Sequence, residues 1–381
     1  MENDDFAPWL RLSLVDGVGA ATARRLLAAF GLPEAIFAQS RDALLQHASP
    51  AQADALLTPP ADLAARCEAL RAWLRGSAPG AGERALITLA DPRYPAALLH
   101  IADPPLLLHA LGCVPALAAL PPCLAVVGSR NPTPQGEAHA RRFATALAAR
   151  GVCIVSGLAL GIDGAAHQGA LDGARAAALA TIAVVGTGLD RVYPSRHRGL
   201  AHAIAARGVL ISEYPLGTPP LAPNFPRRNR LIAGLSRATL VVEAALQSGS
   251  LITAREALEQ GRDVLAIPGS IDSPQSRGCH ALIKQGARLV ETPDEVLDEL
   301  GLGGPSALAP GPGTTAPPAS LQDEPDEPDA LLRALGHEPA ALDELVQRTG
   351  LDAATLQARL LECELAGQVQ RLPGARFQRM G

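Results

Sequence analysis

Three short stretches of this 381-residue chain combine residue types that capture anions. The first, VVGSRNPTPQG (126–136), leads two valines into Gly128-Ser129-Arg130 and a Pro-Thr-Pro turn ahead of a polar helix. A strand, a glycine turn and a helix start make a common anion site, because the helix start offers N–H groups and a positive dipole end. Arg130 can fork onto two phosphate oxygens there, or pair with a carboxylate. The second stretch, NFPRRNRLIAGLS (224–236), places Phe225 just ahead of Arg227, Arg228, Asn229 and Arg230. Only eleven aromatics occur in the chain, and Tyr193, Tyr214 and Phe225 share this basic region. An aromatic face beside guanidinium groups suits single-stranded nucleic acid, whose bases stack while its phosphates pair. The plainer reading is a solvated basic helix start. The third stretch, VVEAALQSGSLITAREAL (241–258), sets Ser248-Gly249-Ser250 before a helix, with Thr253 one turn in. Such a start cradles a phosphate or is an ordinary serine cap. Glu243, at a strand end, is the candidate acid or base, or a partner for a nearby arginine.

A fourth stretch, SGLALGIDGAAHQGAL (156–171), holds Asp163 and His167 four residues apart. The pair shares a helix face, but no third ligand follows at recognisable spacing. The reading is therefore a capping aspartate and a hydrogen-bonded histidine. No Walker lysine, no G-x-G-x-x-G and no Ser-His-Asp set is present. No catalytic residue, metal or cofactor is expected, and the pattern points to anion capture more than bond breaking.

The elements that must position these segments follow from the apolar pattern. Strand-length apolar runs lie at 85–89, 123–128, 152–156, 181–186, 208–212, 238–243 and 263–267, and helical segments separate the later ones. That alternation predicts an α/β fold with a mostly parallel sheet covered on both faces. Several runs end in glycine, so their turns should share the carboxyl rim where ligands bind. Upstream, LRLSLVDGVGAATARRLLAAFG (10–31) reads as a helix-hairpin-helix turning at Gly17-Val18-Gly19. Residues 301–328 are rich in Pro and Gly and then acidic, which predicts a linker. A helix-turn-helix and a hairpin turning at Pro373-Gly374 follow. The expected domains are a helical 1–80, an α/β core 81–300, the linker 301–328 and a winged-helix-like 329–381.

Net charge is −5, which alone argues against nucleic acid, but residues 121–235 hold 12 Arg against 5 Asp or Glu. The acidic cluster Asp323, Glu324, Asp326, Glu327 and Asp329 lies far from them. Six cysteines are scattered without a C-x-x-C pair, which suggests inert thiols in a reducing cytosol. No apolar run reaches the roughly 18 residues of a membrane helix, and the acidic start lacks signal-peptide character. A cytoplasmic protein without membrane insertion is expected.

Taken together, VVGSR, SGLALGIDGAAHQGAL, TIAVVGTGLDRVYP, ISEYPLGTPPLAPNFPRRNRLIAGLS, VVEAALQSGSLITA and GRDVLAIPGS resemble the DNA-processing protein A family (DprA, also called Smf) from about residue 123 to 290. The resemblance implies an extended Rossmann-like core, a helix-hairpin-helix (SAM-like) domain and a winged helix. It implies single-stranded DNA binding in natural transformation, protection of incoming DNA, and loading of the RecA recombinase, with no catalysis. By position, Gly128, Ser129 and Arg130 look like the phosphate loop. Phe225 looks like the stacking aromatic, and Arg228, Asn229 and Arg230 like the family's RNR segment. In GCHALIKQGARLV, His280, Ile283 and Leu289 fall where the homodimer contact lies, with Leu258. Some members carry lysines just after the Y-P pair and just before F-P, where this chain has Ser195 and Ala222; Arg196, Arg198 and Arg227 stand nearby. Two other readings compete. A nucleotide phosphoribohydrolase of the same Rossmann branch would need a P-G-G-x-G-T-x-x-E run, which is broken here. A winged-helix DNA regulator would need a basic second helix, but residues 352–366 carry Asp352, Glu362 and Glu364 against Arg359.

Overall fold

The computed structural model describes residues 6–76, 82–176, 178–303, 330–335, 339–372 and 376–379. Two compact units result, Met1–Gly303 and Gly304–Gly381. The first begins with six helices: α1 (Ala7–Leu14), α2 (Ala20–Phe30), α3 (Pro33–Phe37), α4 (Arg41–Leu45), α5 (Pro50–Leu57) and α6 (Leu63–Arg75). The α1–α2 turn forms as the glycines predict: Gly17 takes φ 74°, which a side chain would oppose, and Gln52 Nε2 donates to its carbonyl at 2.7 Å. These helices pack on the sheet within the same compact unit. Trp9, Leu26, Leu56 and Trp73 join one apolar cluster with Leu86, Leu107 and Leu210 of the sheet.

The sheet has nine strands: β1 (Glu83–Thr88), β2 (Leu107–Gly112), β3 (Cys123–Val127), β4 (Cys153–Ser156), β5 (Thr181–Val184), β6 (Val209–Ser212), β7 (Ala238–Val241), β8 (Asp263–Ala266) and β9 (Arg288–Leu289). Their order is β1-β2-β6-β5-β4-β3-β7-β8-β9. From β6 to β9 all pairings are parallel, and β1 and β2 close one edge antiparallel. Every expected strand is present. β2 and the two-residue β9 were not expected. LLLHALG is apolar without alternation because β2 is paired and covered on both sides, and periodicity alone does not tell such a run from a buried helix segment.

Crossover helices follow the strands: α7 (Pro134–Ala149), α8 (Ile162–Gly173), α9 (Arg198–Arg207), α10 (Asn224–Leu235), α11 (Ser250–Glu259), α12 (Arg277–Lys284) and α13 (Pro293–Glu299). Residues of α10, α11 and α12 form one core on one face, while α7, α8 and α13 pack on the other. β3, with all five residues buried, is an interior strand of this sandwich, between β4 and β7.

The second unit has α14 (Ala330–Leu335), β10 (Ala340–Ala341), α15 (Leu342–Thr349), α16 (Ala353–Leu365), β11 (Val369–Leu372) and β12 (Arg376–Arg379). Its sheet order is β10-β12-β11, antiparallel throughout, as a winged helix requires. Asp352 caps α16 by accepting from the Ala354 and Thr355 N–H groups. The linker expected over 301–328, apart from Gly301–Gly303, and the Pro373-Gly374 turn lie outside the described residues.

Candidate nucleic-acid interface

The chain runs β3, β4, β5, β6 outward in one direction, then restarts at β7 on the other side of β3. Loops leaving β3 and β7 must therefore part, and that parting opens a crevice at the carboxyl rim. A cleft of about 470 Å³ lies there. The loop after β3 supplies Gly128, Ser129 and Arg130, and the segment after β7 supplies Ser248, Gly249, Ser250 and Thr253. α10 adds Phe225, Arg228 and Asn229. Ten residues from three distant segments are thus brought together, but they do different work.

Arg130 is exposed, and among the described residues no carboxylate pairs with it. Its guanidinium carbon stands 5.8 Å from the centre of the Phe225 ring. The Phe225 ring also meets Tyr193 at 5.5 Å, tilted by 41°. Gly186 makes room for it, since a Cβ there would sit 3.1 Å from Phe225 Cδ1. Asn224 Nδ2 donates to the Gly186 carbonyl at 3.0 Å, and the Tyr214 hydroxyl donates to the Asn224 carbonyl at 3.1 Å. Tyr214 therefore holds the aromatic loop in place, and the exposed face belongs to Phe225 and Tyr193.

The anion site expected at the start of α7 is already filled. Glu243 accepts from the Thr133 N–H at 2.9 Å and the Thr133 hydroxyl at 2.5 Å, while Thr133 Oγ1 caps the Gly136 N–H. Gly136 is glycine because the Glu243 carboxylate packs against its Cα. Burial pushes the Glu243 carboxyl up, against the two Thr133 hydrogen bonds. Glu243 is thus neither an acid/base residue facing the cleft nor a partner of Arg130, Arg228 or Arg230. Gly128 also departs from expectation. A Cβ there would lie 2.7 Å from Ile162 Cγ1 and 2.9 Å from the Glu243 carbonyl, so the glycine serves close loop packing. The Ser129 N–H is bound to that same carbonyl at 2.7 Å. What remains for a ligand on this side is the Arg130 guanidinium, since the Ser129 hydroxyl oxygen accepts from the Asn131 N–H at 3.1 Å. Across the cleft, α11 begins at Gly249; the Ser248 hydroxyl accepts from the Ser250 N–H at 3.3 Å and bonds the Ser250 hydroxyl at 2.7 Å, and the Leu251 and Ile252 N–H groups donate to the Ser248 and Gly249 carbonyls. Thr253 is buried at the cleft base.

Arg228 lines the cleft from beneath and is only 4% exposed. Its Nη1 donates to the carbonyls of Gly157, at 2.6 Å, and Val184, and its Nε donates to Asn229 Oδ1. Burial lowers its pKa to about 10, with the Asp163 charge opposing. Asp163 Oδ2 accepts from the Gly157 and Ala159 N–H groups at 3.1 and 3.2 Å. Burial raises this carboxyl, with Arg228 opposing. Arg228 and Asp163 therefore tie the ends of β4 and β5 to α10 from inside. His167 is wholly buried. The Thr181 hydroxyl donates to the Ile154 carbonyl, so His167 Nδ1–H donates to Thr181 Oγ1 at 2.7 Å. Burial depresses its pKa to about 3.

Arg230 does not reach the cleft. It is 8% exposed and pairs with Glu213 at 2.6 Å and Asp103 at 3.4 Å. Arg227 is exposed but lies off the cleft lining. Asn131, Gln247 and Gln275 line the cleft without having been singled out, and Gln275 Nε2 donates to the Asn131 carbonyl at 3.3 Å. Neutral amides in irregular loops carry no spacing signal. Of the expected dimer residues, Leu258 is 52% and Leu289 43% exposed, Leu289 on the edge strand β9. Ile283 and His280 are half-buried, and His280 Nε2–H donates to the Gly269 carbonyl at 2.9 Å. Among the described residues no helix is long and apolar enough to cross a membrane, and no group of His, Cys, Asp and Glu could hold a metal.

A doubly covered, mostly parallel sheet with a crevice at its switch point defines an open α/β protein of the Rossmann-like kind, whose ligands are taken at that rim. The family model described as DNA recombination-mediator protein A matches residues 85–301, and the DprA winged helix domain model matches residues 315–375. The chain is 47% identical over 291 residues to Protein Smf of Escherichia coli (strain K12), covering 74% of each chain. It is 47% identical over 212 residues to DNA processing protein DprA of Streptococcus pneumoniae, covering 56% of this chain and 73% of the relative. The solved structure of DprA from Streptococcus pneumoniae superposes with a TM-score of 0.63 at 34% identity, over 78% of this chain and 98% of that one. A Helicobacter pylori DNA processing protein A structure, described for its single-stranded DNA binding mode, gives 0.51 at 31% identity, over 56% and 95%. The chain belongs to the DprA/Smf family of DNA-processing proteins.

Proposed function

We propose that this chain binds single-stranded DNA at the switch-point cleft without breaking bonds. The observation that carries the reading is Arg130, an exposed guanidinium with no carboxylate partner, poised beside the Phe225 ring. A phosphate pairs with the first while a base stacks on the second. The Ser248 and Ser250 hydroxyls and the positive dipole end of α11 face the cleft and suit a neighbouring phosphate. The cleft-side carboxylate Asp163 is bound to backbone N–H groups, which supports binding over catalysis. The names of its relatives support a role in DNA processing. In the finer reading the chain acts as a homodimer in natural transformation, protects incoming strands and loads a RecA-type recombinase on them.

The test is fluorescence anisotropy with single- and double-stranded DNA of one sequence at two salt concentrations. Tighter single-strand binding that weakens with salt is expected, since phosphate contacts release counterions. Equal affinity for both forms would sink the reading. Turnover of a nucleoside monophosphate would favour the hydrolase instead. For the finer reading, filament assembly by a RecA-type recombinase on protein-coated single strands should accelerate when the chain is added.

A further inference from the structure

A second cavity of about 700 Å³ lies beside the first, over the sheet face next to α9. Its floor is apolar, built from Leu158, Val185, Leu189 and Leu210. Its rim carries Tyr193, and Arg198 and His202 from α9. The last two are four residues apart and share one helix face. Both are exposed, and no hydrogen bond or ion pair engages either side chain among the described residues. The other rim cations are committed: Arg191 pairs with Asp190 at 3.1 Å, and Arg84 donates to the Trp73 carbonyl at 2.9 Å. An apolar floor with a few convergent polar groups is the usual form of a ligand site.

The two cavities share a wall. Ala159 lines the first and its neighbour Leu158 the second. Phe225 lines the first and Tyr193 the second, and these are the rings in contact. Leu158 holds φ 60°, a left-handed backbone that leucine rarely adopts, and His197 Nδ1–H donates to its carbonyl at 3.0 Å. This turn sends adjacent residues into different cavities.

We propose that the second cavity is a further subsite for the same single strand. It takes one base on its apolar floor, while the phosphate of that nucleotide pairs with Arg198. A strand leaving the first cleft crosses the Phe225–Tyr193 pair and enters directly. The proposal rests on the reading of the first cleft as the single-strand site. A nucleotide unit fits the chemistry because it joins one flat, weakly polar face to one anion, as the floor and the free guanidinium require. Net rim charge favours an anion, with Arg84, Arg191 and Arg198 against Asp190.

The experiment compares full-length wild type, Arg198→Glu, Arg198→Lys, Tyr193→Ala and Arg130→Ala on oligothymidines of about 4 and about 16 nucleotides, near the limits of single-strand site sizes. Arg198→Glu should weaken the long oligomer by about 5- to 100-fold and leave the short one unchanged, because loss of one stacked or paired nucleotide has that effect, whereas Tyr193→Ala, which removes the ring against Phe225, should weaken both lengths. Arg198→Lys should restore most of the loss. Arg130→Ala should weaken both lengths. Wild-type affinity of Arg198→Glu for the long oligomer, with Arg130→Ala impaired, overturns the second subsite alone. An unimpaired Arg130→Ala overturns the first-cleft reading instead. Thymidine monophosphate that binds Arg130→Ala but not Arg198→Glu, without competing with the long oligomer, would make the cavity a free-nucleotide site and overturn the proposal.

Discussion

Arg130 and Arg228 line the same cleft, yet the fold gives them opposite roles. Arg130 projects into the cleft without a partner, so its loss should be felt by the ligand. Arg130→Ala is expected to lower single-strand affinity about 10- to 100-fold, the equivalent of a charged hydrogen bond of roughly 1.5–3 kcal/mol. The slope of log K against log salt should become shallower by about 0.7, one phosphate's share on a single strand. Arg130→Lys should recover the slope but not all the affinity, because the fork is lost. Anisotropy titrations across salt check this, and an unchanged slope would place the phosphate elsewhere. Arg228→Ala should act on the fold. It strands two buried carbonyls and the Asp163 charge, and removing one partner of a buried charged set costs about 3–5 kcal/mol. Urea denaturation should show this loss, and a variant of wild-type stability would return Arg228 to the DNA. The sequence shows three arginines in four positions, which no local rule separates. What separates them is the carbonyls of residues 157 and 184 and the carboxylate of residue 213, all remote in the chain.

Among the elements, the strands were legible because apolar runs ending in glycine mark buried parallel strands and their rim turns. The grouping of three rim segments into one cleft was legible for the same reason. The occupant of the start of α7 was not, since Glu243 is 110 residues from the Thr133 it caps. That contact makes α7 and β7 one unit at the switch point. Glu243→Ala would leave the Thr133 N–H and the positive helix end without their acceptor. A loss of about 1–2 kcal/mol in urea denaturation is expected, typical of a cap with a dipole contribution. The salt slope of DNA binding should not move, because the carboxylate faces Thr133; a steeper slope would mean that Glu243 repels DNA from within the cleft. Contacts across residue 80 are also remote in sequence. Asp103 accepts from Arg24 of α2 at 2.8 Å and pairs with Arg230 of α10, so the hairpin helices and the cleft helix share a carboxylate. Burial alone would raise Asp103, but Arg24 and then Arg230 hold it below the usual range.

At the scale of the molecule, fewer of the arginines read from the sequence are open to a ligand, because Arg141, Arg191, Arg207, Arg228 and Arg230 are bound to carboxylates or carbonyls. The protein should also lose stability in acid in a way traceable to His167. Its folded pKa is about 3 against 6.5 for a free histidine. Between those values the unfolded chain takes up a proton that the folded chain refuses, so stability falls as pH falls, by about 1.4 kcal/mol per unit. The raised carboxyls Asp163 and Glu243 work in the opposite sense, but they are common to wild type and variant and cancel in the difference. His167→Gln should flatten stability against pH from about 6.5 downward; parallel curves from urea denaturation would mean that His167 is protonated in the fold. Assembly is the last property at this scale. Leu258 and Leu289 leave apolar side chains in water, and Leu289 sits on a two-residue edge strand, a place where another chain can pair. Burying each leucine would contribute about 1.5–3 kcal/mol per copy. Ile283 differs, since it packs partly into the core of α12 and β8, and a charge there would damage the fold itself. The informative variant is therefore Leu258→Glu with Leu289→Glu. With the proposed homodimer formed through this face, wild type should scatter as a dimer and the variant as a monomer at equal concentration, while thermal unfolding at high dilution stays that of the wild type. A variant that remains dimeric would move the interface off this face.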